Sequence, residues 1–163
     1  MATLPQLLEE DIQRLDDVLR GFLDHTDATT ALIVDKGGFL ITHQGDARQF
    51  DLTTISALAS GAYMANQTIA NLIHETNFDS VYQAGAQYSM FVTNVDEECL
   101  LLVVFKAQVG VGVVKYYVNA TREQIARQLQ LAHERDPSGG LDLSVLNIAD
   151  TSNVFKRKAS EVG

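Results

Sequence analysis

Apolar residues recur along the chain at two spacings, and each spacing predicts a different kind of element. Steps of three and four residues, typical of helices, run through residues 4–25, 51–74 and 110–133. Short apolar runs typical of strands lie between these stretches, at residues 31–35, 39–43, 80–85, 88–95 and 99–105. The predicted order is therefore helix, two strands, helix, three strands, helix.

Short connections between the predicted strands decide how the strands pair. Gly37 and Gly38 supply the positive φ that a tight hairpin turn between the first two runs needs. Turns at residues 86–87 and 96–98 join the last three runs, and connections this short force antiparallel neighbours. Residues 99–105 are apolar on both faces, which predicts a central strand covered by helices on both sides. The pattern predicts a five-stranded antiparallel sheet with helices on both faces.

The starts of the first and the last predicted helices have to be inferred from local sequence signals. Thr3 and Gln6 have the spacing of a capping box, and Pro5 suits a first helical turn, so the first helix is expected to begin near residue 4. Residues 109–118 alternate like a strand and are rich in β-branched side chains. Helical steps nevertheless continue through this stretch to residue 133, so the last helix is expected from about Gly110.

The middle helix, residues 51–74, carries two apolar stripes, and Asp51 is its expected N-cap. The first stripe is expected to face the sheet and consists of Ile55, Leu58, Ala62, Ile69 and Leu72. The second stripe consists of Ala57, Gly61, Met64, Ala65 and Thr68. In a helix, Gly61 is less favourable than alanine by about 0.8–1 kcal/mol. A surface that faces only water gains nothing from glycine, whereas a surface that another chain approaches closely does. The second stripe is therefore interpreted as a contact surface for another chain, the alternative being loose surface composition.

Composition and charge exclude several classes of function. The chain has 163 residues, 46% of them hydrophobic, which suits one domain with a full core. A net charge of −9 argues against nonspecific binding to nucleic acid or to anionic membranes. No apolar run reaches the length of a membrane span, and no signal pattern opens the chain, so a cytoplasmic location is expected. The single Cys99 lies in an apolar run and is interpreted as a buried structural thiol.

The domain is expected to occupy residues 1–135. Residues 136–140, Asp-Pro-Ser-Gly-Gly, form the expected linker, because glycine and proline end helices. Residues 141–163 form the expected tail, with a short apolar segment at residues 141–148 followed by a disordered polar part. This part contains the one basic run of the chain, Lys156-Arg157-Lys158.

Sequence motifs for catalysis or cofactor binding are missing. There is no phosphate-binding loop of the GxxxxGK[ST] type, and a partial dinucleotide fingerprint at Gly110 and Gly112 has Lys115 where the third glycine belongs. The four histidines are far apart in sequence, and no serine has an elbow motif. The chain is therefore expected not to be an enzyme and to need no cofactor or metal.

Several segments, taken together, resemble the roadblock domain family. They are the hairpin ALIVDKGGFLITHQG, the helix segment SALASGAYMA and the meander VYQAGAQYSMFVTNV, LLLVVF and VGVGVVK. The resemblance covers residues 4–135 and depends on the order of elements rather than on a chemically specific motif. Within the family the chain is most similar to the bacterial MglB proteins, partners of the Ras-like GTPase MglA, which carry an "F…EGA" meander like residues 78–86.

This resemblance implies an α+β fold, an α/β/α sandwich of order αββαβββα with one helix on one face of the sheet and two on the other. It also implies a homodimer whose edge strands pair across a two-fold axis and whose middle helices form a platform for one GTPase. The open strand edge expected at the dimer interface comprises Val81, Tyr82, Gln83, Ala84 and Gly85. The expected partner-binding residues are those of the second stripe.

The implied function is activation of GTP hydrolysis by the partner, without an inserted arginine finger, so Arg48 before the middle helix is expected to be dispensable. The implied biology is cell polarity and motility, with recruitment to a cell pole through partners. The expected tail contacts with the GTPase, which could also affect nucleotide exchange, are Leu141, Leu143, Leu146 and Ile148. The alternatives are a dimeric scaffold without effect on hydrolysis, a small-molecule sensor of the PAS or GAF type, and an enzyme in its own right.

Overall fold

The structure, a computed structural model, describes residues 4–135. Three helices and five strands follow one another in the predicted order. Their bounds are α1 Glu9–Thr26, β1 Thr30–Asp35, β2 Leu40–Gly45, α2 Leu52–Leu72, β3 Ser80–Gln83, β4 Tyr88–Asn94, β5 Cys99–Lys106 and α3 Val111–Arg135. The expected linker and tail lie outside the described residues, as does Thr3.

The strands form one antiparallel sheet in the order β2-β1-β5-β4-β3, which confirms the predicted pairing. β5 lies in the centre, where Leu101 pairs with Ile33 of β1 and Leu102 pairs with Val92 of β4. Residues 99–105 of β5 are all buried, as expected for a strand covered on both faces. β3 is an edge strand and pairs only with β4 among the described strands.

Two apolar cores lie on opposite faces of the sheet, because side chains alternate along each strand. On one face, α1 and α3 pack against each other and against alternate β5 residues, including Leu101 and Phe105. On the other face, α2 covers Leu102 and its neighbours through Leu52, Ala59 and Tyr63. The predicted sandwich with one helix on one face and two on the other is confirmed.

The expected start of α1 near residue 4 is wrong, because the helix begins at Glu9. Leu8 is the N-cap residue, and its backbone N–H donates to the Asp11 carboxylate at 2.8 Å. This carboxylate is buried and also accepts hydrogen bonds from Gln128 and Arg135 of α3. The helix start is thus fixed by a contact with α3 rather than by the capping-box spacing near Pro5.

The ambiguous stretch at residues 109–118 is helical, as predicted. Val114 and Val118 are buried against the sheet, and the buried face continues through Ile125 and Leu129. Burial along one helical face therefore outweighs the local preference of valine for strands.

The first strand of the meander is shorter than predicted and ends at Gln83 instead of Gly85. A Cβ atom at Gly85 would lie 2.0 Å from the carbonyl oxygen of Tyr88, so only glycine fits there. Ala84 and Gly85 therefore belong to the β3–β4 turn.

Candidate functional site

Most residues on the face of α2 that packs on the sheet are small or polar. Its buried members are Leu52, Ser56, Ala59, Ser60, Tyr63 and Ala70. The Ser56 hydroxyl donates to the Leu52 carbonyl oxygen at 2.7 Å, and the Ser60 hydroxyl donates to the Lys36 carbonyl oxygen. Because both hydroxyls have acceptors, burying them carries little cost, and their small size lets the helix lie close to the strands.

The prediction that the first stripe faces the sheet is wrong. Leu58, Ile69 and Leu72 are 69%, 48% and 74% exposed, and Ala62 is exposed as well. Only Ile55 is partly buried against the core on this face. The hydrophobic pattern identified large apolar side chains correctly, but the protein places them outward and buries serine and alanine instead.

The second stripe is also exposed, as a contact surface for another chain requires. All five of its residues lie on the surface, with Met64 50% exposed. A Cβ atom at Gly61 would meet nothing within 4 Å, so packing inside this subunit does not require glycine there. Because Gly61 has no side chain, another protein chain could come close to the α2 backbone at this position.

Charge is absent from the whole of α2, which makes this exposed surface unusual. No Asp, Glu, Lys or Arg occurs between Asp51 and Glu75. Asp51 caps the helix, and its carboxylate accepts the Thr54 backbone N–H at 3.1 Å, as predicted. A surface helix normally carries charged residues on its outward face, and a contiguous apolar face marks an interaction site.

The free edge of β3 lies next to this helix. A narrow cleft of about 20 Å³ separates Ala62 and Asn66 of α2 from Val81 and Gln83 of β3. This volume is enough for about one water molecule. On the other face of the sheet, the Tyr82 ring stacks on Phe105 with centroids 6.2 Å apart and remains 42% exposed. The outward face of α2 and the β3 edge are therefore neighbouring parts of one surface.

Arg48, in the loop before α2, forms an ion pair with Asp46. Its guanidinium Nη2 and Nε lie 2.9 Å and 3.0 Å from the two carboxylate oxygens of Asp46. Hydrogen bonds from the Arg48 side chain and backbone lower the pKa of Asp46 to about 2. Both side chains are exposed, so the pair adds little to stability, but it sets a resting position for the guanidinium.

Groups that could perform chemistry are sparse in residues 4–135. Cys99 is fully buried, and burial raises the pKa of its thiol far above the usual range, which suits the predicted structural role. No three His, Cys, Asp or Glu side chains of this region lie close enough to hold a metal ion. None of its helices combines the length and apolarity that crossing a membrane requires. Side chains of α2 and of the sheet pack against each other on this face, and the cleft between Ala62 and Val81 holds only about 20 Å³.

Large exposed apolar residues of α2 are the functional candidates that sequence periodicity misassigned. Leu58, Ile69 and Leu72 belong to them, together with Ile73, which follows the helix and is 62% exposed. The signal that could have found them is the run without charge from residue 52 to residue 74, because a surface helix normally carries charged side chains on its outward face.

Comparison with known proteins agrees with this geometry. Residues 14–105 match the Roadblock/LC7 domain family. A solved structure described as MglB with tetrameric arrangement is 27% identical, has a TM-score of 0.75, and covers 81% of this chain and 99% of its own. The gliding protein MglB from Thermus thermophilus is also 27% identical, has a TM-score of 0.73, and covers 80% of this chain and 98% of its own.

MglB of Myxococcus xanthus has the same fold, with a TM-score of 0.73 at 24% identity, covering 78% of this chain and 96% of its own. No protein of curated function matches the sequence. The family match spans more than half of the chain and includes α2, the first four strands and all of β5 except its last residue. The chain belongs to the Roadblock/LC7 domain family.

Proposed function

We propose that this chain is a homodimeric regulator of a small Ras-like GTPase, to which it binds through α2 and whose GTP hydrolysis it stimulates. The observation that carries the proposal is the charge-free helix α2, which buries serines and exposes leucine, isoleucine and methionine. A group of large apolar residues exposed on one helix marks a site of interaction with another protein surface. The similarity to MglB structures supports a partner-binding role for this face.

In this proposal the dimer interface combines the β3 edge with the first stripe of α2. Ala62 and Gln83 line the same cleft, so a second copy that paired with β3 would also approach Leu58 and Ile69. The edge residues Val81, Tyr82 and Gln83 would form the strand contact, with Ala84 and Gly85 at its end. Pairing of two edge strands satisfies the free backbone groups that an edge otherwise presents to solvent.

The second stripe is then left for the GTPase. Ala57, Gly61 and Ala65 have little or no side chain, so two neighbouring α2 helices would offer a shallow apolar floor. Met64 adapts its shape readily, which suits a contact that forms and dissociates. One GTPase per dimer follows if the floor lies across the two-fold axis.

Stimulation would act through the GTPase's own catalytic groups. Arg48 is engaged by Asp46, and the proposed binding face of α2 carries no charged side chain that could stabilise the transition state. Binding would instead favour the GTPase conformation that hydrolyses GTP, as a partner with differential affinity for two states does. The proposed tail contacts Leu141, Leu143, Leu146 and Ile148 lie outside the described residues.

The test is single-turnover GTP hydrolysis by an MglA-like GTPase from the same organism, with and without this chain, together with titration of the GTP-loaded form. We expect tight binding and a rate increase of at least about tenfold, which is 1.4 kcal/mol of transition-state stabilisation. Binding without a rate increase would establish the scaffold role instead. No binding to the GTP-loaded form would refute both.

A further inference from the structure

The sheet has a second free edge at β2, on the side away from β3. β2 ends the strand order β2-β1-β5-β4-β3, and β1 is its only neighbour among the described strands. The residues of β2, LITHQG, include no lysine, proline or acidic residue, which commonly protect an exposed strand edge. Helix α1 lies over β2 and contacts it more extensively than β1. A strand that approached this edge would therefore meet the β2 backbone and the side of α1 together.

The backbone of His43 is directed toward this free edge. The Asp46 N–H donates to the Thr29 carbonyl oxygen at 2.9 Å, which makes these two residues a hydrogen-bonded pair of the β1–β2 ladder. Hydrogen-bonded and non-hydrogen-bonded pairs alternate along an antiparallel ladder. Thr42 and Gln44 therefore bond to β1, whereas the N–H and C=O groups of His43 point outward.

Two opposite charges of α1, one helical turn apart, lie over the same part of β2. The Thr42 hydroxyl donates to Asp16 Oδ1 at 2.5 Å, and Arg20 Nε donates to Gln44 Oε1 at 3.2 Å. Arg20 also pairs with Asp17, but Asp16 forms no ion pair within residues 4–135. The edge thus carries an acid at the position of Thr42 and a guanidinium at the position of Gln44.

These charges favour one way for two copies of the edge to pair. When two identical antiparallel strands pair about a two-fold axis, the residues on either side of the axis lie opposite each other. With His43 at the axis, Thr42 lies opposite Gln44 of the second copy. Asp16 of each copy then faces Arg20 of the other. An axis at Thr42 would oppose two aspartates, and an axis at Gln44 would oppose two arginines.

We propose that β2 is a self-association surface whose occupant is β2 of a second copy, paired antiparallel about a two-fold axis at His43. Each contact contains two Asp16–Arg20 ion pairs and two hydrogen bonds between the His43 backbones. The regular part of the edge is short, because the β1–β2 register shifts between Ile33 and Val34, so the contact is weak. It leaves β3 free and joins the proposed dimers to one another, and it does not depend on GTPase binding.

The first test places a thiol at the axis. A hydrogen-bonded antiparallel pair has its Cα atoms about 5.5 Å apart, which is within the range of disulfides. We therefore expect mild oxidation of full-length His43→Cys to give a disulfide-linked dimer on a non-reducing gel. Gln49→Cys, at an exposed position of the loop that follows β2, should not link. Cys99 is fully buried and does not compete.

The second test reverses one charge in each of two proteins and then mixes them. Asp16→Lys sets a lysine against Arg20 of the second copy, and Arg20→Glu sets a glutamate against Asp16. Because both ion pairs of the contact become repulsive, each protein alone should associate at least about tenfold more weakly beyond the dimer. An equimolar mixture restores opposite charges at both positions and should recover the association. Sedimentation velocity measures the association, and circular dichroism confirms folding.

Matched controls lie on α3, where Glu123 and Arg127 are exposed and have the same spacing of four residues. Glu123→Lys and Arg127→Glu make the same changes in net charge, and each should associate like the wild type. The proposal is overturned if charge reversal on α1 leaves association unchanged or weakens it no more than the controls do. It is also overturned if the mixture associates no better than its components, or if His43→Cys links no more than Gln49→Cys.

Discussion

Replacing Leu58 by alanine should weaken the dimer while leaving the subunit folded. The side chain is 69% exposed, so most of its apolar surface is still available for burial on assembly. Full burial of a leucine is worth about 1.5–3 kcal/mol, and about two thirds of this, 1–2 kcal/mol, would be gained in the interface. A two-fold dimer contains the residue twice, so the loss is about 2–4 kcal/mol. At 1.4 kcal/mol per tenfold, the dissociation constant should rise about 30-fold to several hundred-fold.

Sedimentation equilibrium across micromolar concentrations measures this constant, and circular dichroism melting reports whether the subunit is folded. Two control variants separate the interface from the core. Tyr116→Ala removes a side chain that is 76% exposed on α3, and dimerisation should be unchanged. Tyr63→Ala removes an α2 side chain that is 5% exposed and packs against the sheet, and the subunit should lose about 3–5 kcal/mol of stability.

Two results would refute this reasoning. If Leu58→Ala dimerises as tightly as the wild type, the first stripe is not part of the dimer interface. If Leu58→Ala unfolds as readily as Tyr63→Ala, Leu58 supports the subunit core, contrary to its exposure.

Four further variants test other parts of the proposal. Gly61→Arg should remain folded and dimeric but lose at least about 100-fold in affinity for the GTP-loaded GTPase, because burying an unpaired guanidinium costs several kcal/mol; unchanged affinity in a titration would place the platform elsewhere. Arg48→Ala should keep the stimulated hydrolysis rate within a few-fold, whereas a loss of about 10³-fold would indicate an arginine finger. Burial raises the pKa of Asp11, but its hydrogen bonds, led by the one from Arg135, outweigh burial and hold the pKa below 3.8. The stability that the charged carboxylate contributes above pH 3.8 should therefore be lost as the pH falls through the pKa of the folded state. Asp11→Asn should flatten this part of the pH–stability curve from thermal melts and lower stability by about 1–3 kcal/mol at pH 7, and a curve that stays steep would assign the loss to other carboxylates. Truncation after Pro137 should leave the melting temperature nearly unchanged and weaken GTPase affinity or alter nucleotide exchange; the opposite pattern would show a structural tail.

Element order and strand pairing could be predicted from the sequence because both depend on neighbours in the chain. Turns as short as the one at Gly37 and Gly38 allow only antiparallel pairing, and the continuous apolar run at residues 99–105 indicates a central strand. The helix at Val111–Arg135 was also predictable, because its apolar spacing persists over many turns. The absence of charge in α2 is likewise a property of the sequence alone.

The orientation of α2 and the start of α1 were decided only by tertiary structure. Hydrophobicity shows that Leu58 and Leu72 favour burial, but not whether their own sheet or another chain covers them. Ser56 is buried because its hydroxyl finds an acceptor in the preceding helical turn, a solution that an average hydrophobicity does not describe. The α1 start depends on Asp11, whose partners Gln128 and Arg135 lie 117 and 124 residues away along the chain. Contacts of that separation exist only once the sheet has brought α1 and α3 together, so no local sequence pattern encodes them.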